Sequence, residues 1–337
     1  MGQAVTSVRF HFVVADDRPS AEPGLRIAIA SLARHCPGSK ISVFASGASE
    51  AFGHWMRGID GAELVQQRGD ETGWDVKPSL MLQMLEQADS GEVRVTWIDS
   101  DVVLRDDLRP LLTGTPDTLV ATEESPNAPH RIGAASRATG WGLEVGRDLG
   151  ELNSSVLSVT TRHLELLLAW RDMLTTPDYR AAQGKPFRER DAWYYSDQDA
   201  LAALLASKAF AHVPTRLLRQ GRDIVQHFGP DGWQIRHRLL NLVRSPCLVH
   251  HQGRKPWLLG DTLGDTLGGL KAKFQQLQFD VSPYGQAARR VEKDAGGEFT
   301  WLHKPSTAGR MLKVAGFGSP AIAGIPLVLL KRLSQRG

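Results

Sequence analysis

The chain has 337 residues, 42% hydrophobic and 23% charged, an ordinary globular balance with room for one large domain or two smaller ones. Its 40 basic residues are scattered among 37 acidic ones for a net charge of +3, which excludes nucleic acid as a partner. Cys36 and Cys247 are far apart without metal-ligand spacing and predict a reducing, cytoplasmic setting, with a single disulfide as the alternative, and no basic region followed by a long apolar core marks a secretory signal.

Val8 to Ala15 reads as a strand, stopped by Asp16-Asp17-Arg18-Pro19. Leu25 to His35 has apolar residues at helical spacing and ends near Pro37-Gly38, and Lys40 to Ala45 is a second strand. Pro78 to Ala88 places Leu80, Met81, Met84 and Leu85 on one helical face, with Trp74-Asp75-Val76-Lys77 just ahead of it. Lys77 is read either as a contact to phosphate or sugar or as a solvated lysine.

The next strand, Val93 to Val103, carries Asp99 and Asp101 at its end, before a short apolar run. Residues i and i+2 of an extended chain point to one side, so the two carboxylates converge and suit a hard divalent ion. The plainer alternative is a strand-to-turn junction with solvated carboxylates. Leu119 to Thr122 is a short strand, and Ser125 to Gly150 is a long loop whose Trp141 is an exposed aromatic platform, the favoured reading, or a core plug.

Leu152 to Val159 is a strand interrupted by Asn153-Ser154-Ser155, which line a pocket or form the strand's exposed start. His163 to Leu174 and Asp197 to Ser207 are helices. Ser196 caps the second, and acidic first-turn residues account for all of Ser196-Asp197-Gln198-Asp199 except Gln198. Leu248 to His251 is a strand that runs into Gln252-Gly253-Arg254-Lys255-Pro256-Trp257, where histidine can complete a metal site and lysine can neutralise phosphate.

Alternating strands and helices predict an α/β class with a mostly parallel sheet and helices on both faces. Ligands of such sheets bind beyond the carboxyl ends of the strands, so Asp16-Asp17 and Asp99/Asp101 share one crevice. Residues 1–260 form the catalytic domain in this reading, and 261–337 a C-terminal extension.

The ordered set of motifs from Val8 to Trp257 resembles glycosyltransferase family 8, the retaining GT-A enzymes that include glycogenin and bacterial lipopolysaccharide galactosyltransferases. The resemblance is carried by Ala15-Asp16-Asp17, Lys77, Asp99-x-Asp101, Asn153-Ser154-x-Val156, Asp197-Gln198-Asp199, His250-x-x-Gly253 and Lys255-Pro256-Trp257. It implies a GT-A, Rossmann-like fold. Manganese, or magnesium, would be bound by Asp99, Asp101 and His250. Asp16 would contact the base, Lys77 the sugar nucleotide, and Asn153, Asp197 and Gln198 the donor sugar, with Gln198 close to the anomeric carbon. Lys255 would meet the diphosphate. Asp17, Ser100, Ser154, Gly253 and Arg254 complete the expected substrate-binding set. Three departures stand out. Arg18-Pro19 replaces the usual tyrosine that stacks on uracil, Ser155 replaces the usual glycine, and only Arg254 separates Gly253 from Lys255, so Arg254 can take the lysine's role.

The implied reaction moves a hexose from a nucleotide diphosphate sugar, UDP-sugar foremost, to a saccharide or glycolipid acceptor with retained configuration. Both a front-face route and a covalent intermediate on Asp197 or Gln198 stay open. The competing readings are an Asp-x-Asp metal-dependent nucleotidyltransferase or phosphohydrolase, and a non-catalytic sugar-nucleotide-binding protein.

From Arg310 the chain becomes basic, then uncharged for 17 residues from Val314 to Leu330, then basic again at Lys331-Arg332 and Arg336. The uncharged run holds Gly316, Gly318, Pro320, Gly324 and Pro326 and is shorter than the ~20 residues of a membrane span. It is expected either to pack on the catalytic domain or to lie on an anionic membrane surface.

Overall fold

The computed structural model describes residues 8–69, 71–88, 92–126, 128, 131–227, 233–253, 255, 257, 266–295 and 305–334. The strands are β1 (Arg9–Ala15), β2 (Lys40–Phe44), β3 (Ala62–Leu64), β4 (Val93–Asp99), β5 (Val102–Leu104), β6 (Leu119–Glu123), β7 (Leu152–Val159), β8 (Thr215–Leu218), β9 (Ile224–His227) and β10 (Leu248–His251). The helices up to the last motif are α1 (Glu22–His35), α2 (Glu50–Met56), α3 (Val76–Glu86), α4 (Arg109–Leu112), α5 (Ala134–Gly140), α6 (Leu164–Leu174), α7 (Pro177–Gln183), α8 (Asp197–Ala206) and α9 (Ile235–Val243). Beyond it come α10 (Thr266–Asp280), α11 (Pro283–Asp294), α12 (Thr307–Ala315), α13 (Pro320–Ala323) and α14 (Ile325–Ser334).

A seven-stranded sheet runs β3-β2-β1-β4-β7-β6-β8, and a three-stranded one runs β5-β10-β9. The α/β class is as expected, with one refinement. β7 runs antiparallel to both β4 and β6, whereas the other pairings of the large sheet are parallel. Direction cannot be read from a strand's own residues, because a strand buried on both faces looks alike either way.

The reversal matters for the site. Ala15 pairs with Asp99, so β1 and β4 end side by side. Ile98 pairs with Val156 in the antiparallel register, so the start of β7, with Asn153 and Ser154, reaches past the carboxyl end of β4. Glu123 pairs with Leu152, which brings the carboxyl end of β6 to the same edge. The small sheet adds the last wall, since β5 follows Asp101 directly and pairs His250 with Val102.

Alternation along the strands builds two apolar layers. Val13, Val95, Trp97 and Leu157 pack with α3, α6 and α8 on one face. Phe12, Val14, Ile98 and Val156 pack with α1 and α2 on the other. A third cluster joins Ile27 of α1, Val103 and Val249 of the small sheet and Tyr284, Ala288 and Val291 of α11. Asp280 ties the final helices down, accepting from Ser306 N and Oγ and from Arg289.

Two local expectations are corrected. The stretch Ser125 to Gly150 contains α5, which packs on α8 through Ala134 and Ala138. Alanine against an alanine-rich helix leaves no strong apolar period to read. Trp141 is a partly buried residue packed against the core, not an exposed platform: its ring lies edge-on to Tyr194 at 4.6 Å and its indole N–H donates to the Trp193 carbonyl at 2.9 Å.

Candidate active site

The strand ends enclose a cleft of about 940 Å³. Thirteen of the fourteen residues singled out from the sequence line it, namely Asp16, Asp17, Lys77, Asp99, Ser100, Asp101, Asn153, Ser154, Asp197, Gln198, His250, Gly253 and Lys255. The other, Arg254, lies outside the described residues.

At one end, Asp99, Asp101 and His250 each offer a ligand atom within 4.8 Å of the others. His250 Nε2 stands 3.3 Å from Asp101 Oδ1, and Lys255 Nζ pairs with Asp101 Oδ2. Burial alone would raise the Asp101 carboxyl, but Lys255 and His250 beside it hold it well below the usual carboxylate range. His250 Nδ1 meets Gln226 Oε1 at 2.9 Å, and the Gln226 amide nitrogen donates to the Glu123 carbonyl. That contact fixes which end of the amide faces the imidazole, so Nδ1 donates to Gln226 and Nε2 is the atom directed at Asp101. Two carboxylates and an imidazole nitrogen fit a divalent ion of the manganese or magnesium type. His251 turns away, edge-on to Tyr284 at 5.5 Å.

Two residues beyond Lys255, the Trp257 ring lies against the bare Cα of Gly24 in α1. A Cβ at Gly24 would fall 2.1 Å from that ring. Nearby, Ser100 donates to Asp16 at 2.6 Å, and Asp16 is also held by Arg18. Asp17 accepts from Gly73 N at 2.7 Å and so ties the loop after β1 to the segment before α3.

The middle of the cleft is organised by Lys77. Its ammonium is buried, donates to Ser154 Oγ at 2.9 Å, and lies 3.2 Å from Asp99 Oδ1 and 3.3 Å from Asp197 Oδ2. A solvated lysine is thereby ruled out. Asp197 also accepts from Ser154 Oγ, yet burial together with Asp99 and Asp75 pushes its carboxyl up to about 6, because one ammonium serves two carboxylates. Asn153 and Ser154 are buried inside the site, not at an exposed strand start.

At the far end stands a residue that sequence reasoning missed. The Glu124 carboxylate accepts from Asn153 Nδ2 at 3.0 Å, Gln198 Nε2 at 2.9 Å, Gln252 Nε2 at 3.0 Å and Ser125 N at 2.6 Å. Gln198 Oε1 in turn lies 3.4 Å from Ser154 N. A signal existed, for Glu124 lies two residues past the short strand read at Leu119 to Thr122, where ligands are expected. Asp199 was read as a first-turn dipole residue, and it also pairs with Arg137 at 2.6 Å, joining α8 to α5.

No protein-family model matches the chain, and no curated protein matches it. Solved structures do. The chain is similar to the bifunctional glycosyltransferase WbbM, with 14% identity and a TM-score of 0.47 over 76% of this chain and 48% of that one. It is similar to the glycosyltransferase GlyE of Streptococcus pneumoniae TIGR4, with 16% identity and a TM-score of 0.46 over 89% and 66%. It is also similar to the galactosyltransferase LgtC in complex with donor and acceptor sugar analogs, with 19% identity and a TM-score of 0.45 over 83% and 95%. The chain thus matches about half the length of WbbM and just under two thirds of GlyE.

Proposed function

We propose that the chain is a metal-dependent retaining glycosyltransferase. It would move a hexose from a nucleotide diphosphate sugar, UDP-sugar foremost, to a saccharide or glycolipid acceptor. One observation carries this reading: a single cleft joins a cation-and-anion end to a hydrogen-bonding end of amides set around one carboxylate. Asp99, Asp101, His250 and Lys255 suit a diphosphate with its counter-ion, and Asn153, Gln198, Ser154 and Glu124 suit a polyol. A divalent ion there would supply Lewis-acid neutralisation of the leaving diphosphate. Lys255 adds positive charge where negative charge develops. Asp16 and Arg18, beside the ion end, would take the base.

The polar partners favour the front-face route. Glu124 accepts from four donors, two at each oxygen, which uses up its lone-pair directions and weakens it as a nucleophile. Asp197 is tied to Lys77 and Ser154. The leaving diphosphate is then the base for the acceptor hydroxyl.

The test is product analysis with a panel of nucleotide sugars, manganese and simple saccharides. The expected result is nucleoside diphosphate together with a glycoside of retained configuration by NMR. Consumption of a nucleoside triphosphate with release of pyrophosphate would instead identify a nucleotidyltransferase. Phosphate release without glycoside would identify a phosphohydrolase.

A further inference from the structure

Helix α9 is amphipathic in the inverse sense. Ile235, Leu239, Leu242 and Val243, at helical spacing on one face, are exposed, and Val243 is 86% exposed. The opposite face carries the polar residues His237, Arg238 and Asn241. Arg238 donates to the Ala321 carbonyl of α13 at 2.8 Å, and Asn241 donates to the Gly221 carbonyl at 2.6 Å. A helix of a soluble domain turns its apolar stripe inward. This one is held by its polar face, so its apolar stripe is presented to something outside.

The neighbouring tail repeats the pattern. Leu327 of α14 is buried with Val281 and Ala323, while Ile325, Leu329, Leu330 and Leu333 on its other side are exposed. Val314 of α12 is 78% exposed, and Phe317, at the turn into α13, is 90% exposed. Phe317 also has φ of 52°, a left-handed backbone that a bulky side chain adopts only at a cost, held between Gly316 and Gly318. The tail therefore packs on the domain through one side and leaves its other side apolar and open. The buried Trp233–Ala321 contact and the Arg238 bond dock α9 to α13, so the two exposed stripes belong to neighbouring elements.

The geometry points to a lipid-binding face made of α9 and the α12–α14 tail, whose occupant is an anionic bilayer surface. Charge selects this occupant. Arg236, Arg244, Arg310, Lys313 and Arg332 are exposed on these elements and their flanks. No Asp or Glu occurs from Trp233 to Gly260 or anywhere after Glu298. A second copy of the face would set these cations against one another, whereas anionic headgroups attract them while the apolar side chains enter the interface. Among the described residues no single helix is long and apolar enough to cross a membrane, and α12 meets the segment after it at 112°. Ala321, Ala323 and Leu327 of that bent pair are buried against the rest of the protein, so the face lies on the bilayer. This inference is independent of the sugar-transfer reading.

The test is co-sedimentation of the full chain at low salt with mixed phosphatidylcholine–phosphatidylglycerol vesicles and with phosphatidylcholine vesicles alone. The wild type is expected to pellet with the anionic vesicles and to be released as salt rises. The double variant Leu239→Glu, Val243→Glu and the single variant Phe317→Glu alter only exposed side chains. Each is expected to keep the wild-type melting temperature and to lose about tenfold or more in partitioning. A wild type that stays in the supernatant with anionic vesicles overturns the proposal. So does an α9 variant that pellets as well as the wild type, or a wild-type dimer that the α9 variant splits while no vesicle binding is seen.

Discussion

Gln226 Oε1 lies 2.9 Å from His250 Nδ1, and the other end of the same amide decides which proton sits between them. Because the Gln226 nitrogen is committed to the Glu123 carbonyl, the imidazole must donate at Nδ1 and present Nε2 toward Asp101. Gln226→Leu removes that constraint. Manganese affinity, read by calorimetry on the unliganded protein, is expected to fall about tenfold to a hundredfold. Gln226→Glu retains the acceptor and is expected to lose less. Equal affinities in Gln226→Leu and wild type would remove Gln226 from the site.

Asp101 tests the ion end directly. Asp101→Asn leaves the backbone bond from His251 N to the residue 101 carbonyl in place and keeps the side-chain shape. It removes one carboxylate of the cluster and the counter-charge of Lys255. Metal-dependent binding of a nucleotide sugar is expected to vanish while the circular dichroism spectrum is unchanged. His250→Ala is expected to weaken manganese binding more than His251→Ala, since His251 packs on Tyr284. Metal-dependent donor affinity that survives in Asp101→Asn would exclude the pair as ligands.

What the sequence disclosed and what it hid follow from the range of the interactions involved. β1, α1, β2, α3 and β4 were legible because each carries its own apolar period. The strand-end rule then puts Asp16 and Asp99 on one edge from the sequence alone. Gln226 was not legible. It sits on the four-residue β9, which meets His250 only through sheet pairing across 24 residues. Helix α9 was missed for a different reason. Its apolar stripe faces outward, so its pattern does not report a core contact. Arg137 was hidden in a segment that reads as loop, although its guanidinium is buried between Asp199 and Glu151.

Glu124 is the hub of the hydrogen-bonding end, and its carboxylate orients three amides at once. Glu124→Gln keeps the volume but turns an acceptor-only group into one with donors, so at least one of Asn153, Gln198 and Gln252 must rotate. The expected outcome is a loss of roughly a hundredfold in kcat from misplacement of Gln198, with a smaller change in the KM for donor. Glu124→Ala with added azide separates positioning from nucleophilic catalysis. Recovery of activity with formation of a glycosyl azide of inverted configuration would mark Glu124 as a nucleophile and overturn the positioning role.

Acid stability has a separate source in His11, far from the ion end. Burial and, secondarily, Lys40 push its imidazole down to about 4, with Ser42 Oγ at 2.8 Å as its partner. The folded value lies below the unfolded one, so the unfolded state takes up the proton first as pH falls. The contribution is therefore complete above about 6.5 and is lost as pH drops toward about 4, on the order of 3 kcal/mol in all. Thermal melts across that window are expected to steepen in wild type and to flatten in His11→Asn. Parallel profiles for the two proteins would assign the acid loss elsewhere.

Lys77 is the group whose removal should cost most, because it is buried and its single charge is divided between Asp99 and Asp197. Lys77→Met keeps the length and the contact over the Trp97 ring, where the ammonium now lies 5.5 Å from the centroid. It leaves Asp197 buried with no cation. Losing one partner of a buried pair costs about 3–5 kcal/mol. The Asp197 carboxyl, already pushed up to about 6, would rise further. Two readouts then separate a structural role from a functional one. The melting temperature should fall at neutral pH and recover in part as acid protonates Asp197, because a raised folded value favours the folded state as pH decreases through it. The double variant Lys77→Met, Asp197→Asn removes the stranded charge and should regain most of the stability without regaining donor binding. A double variant as unstable as Lys77→Met would mean that packing, not the stranded carboxylate, carries the cost. One that bound donor like wild type would show that this pair does not hold the sugar.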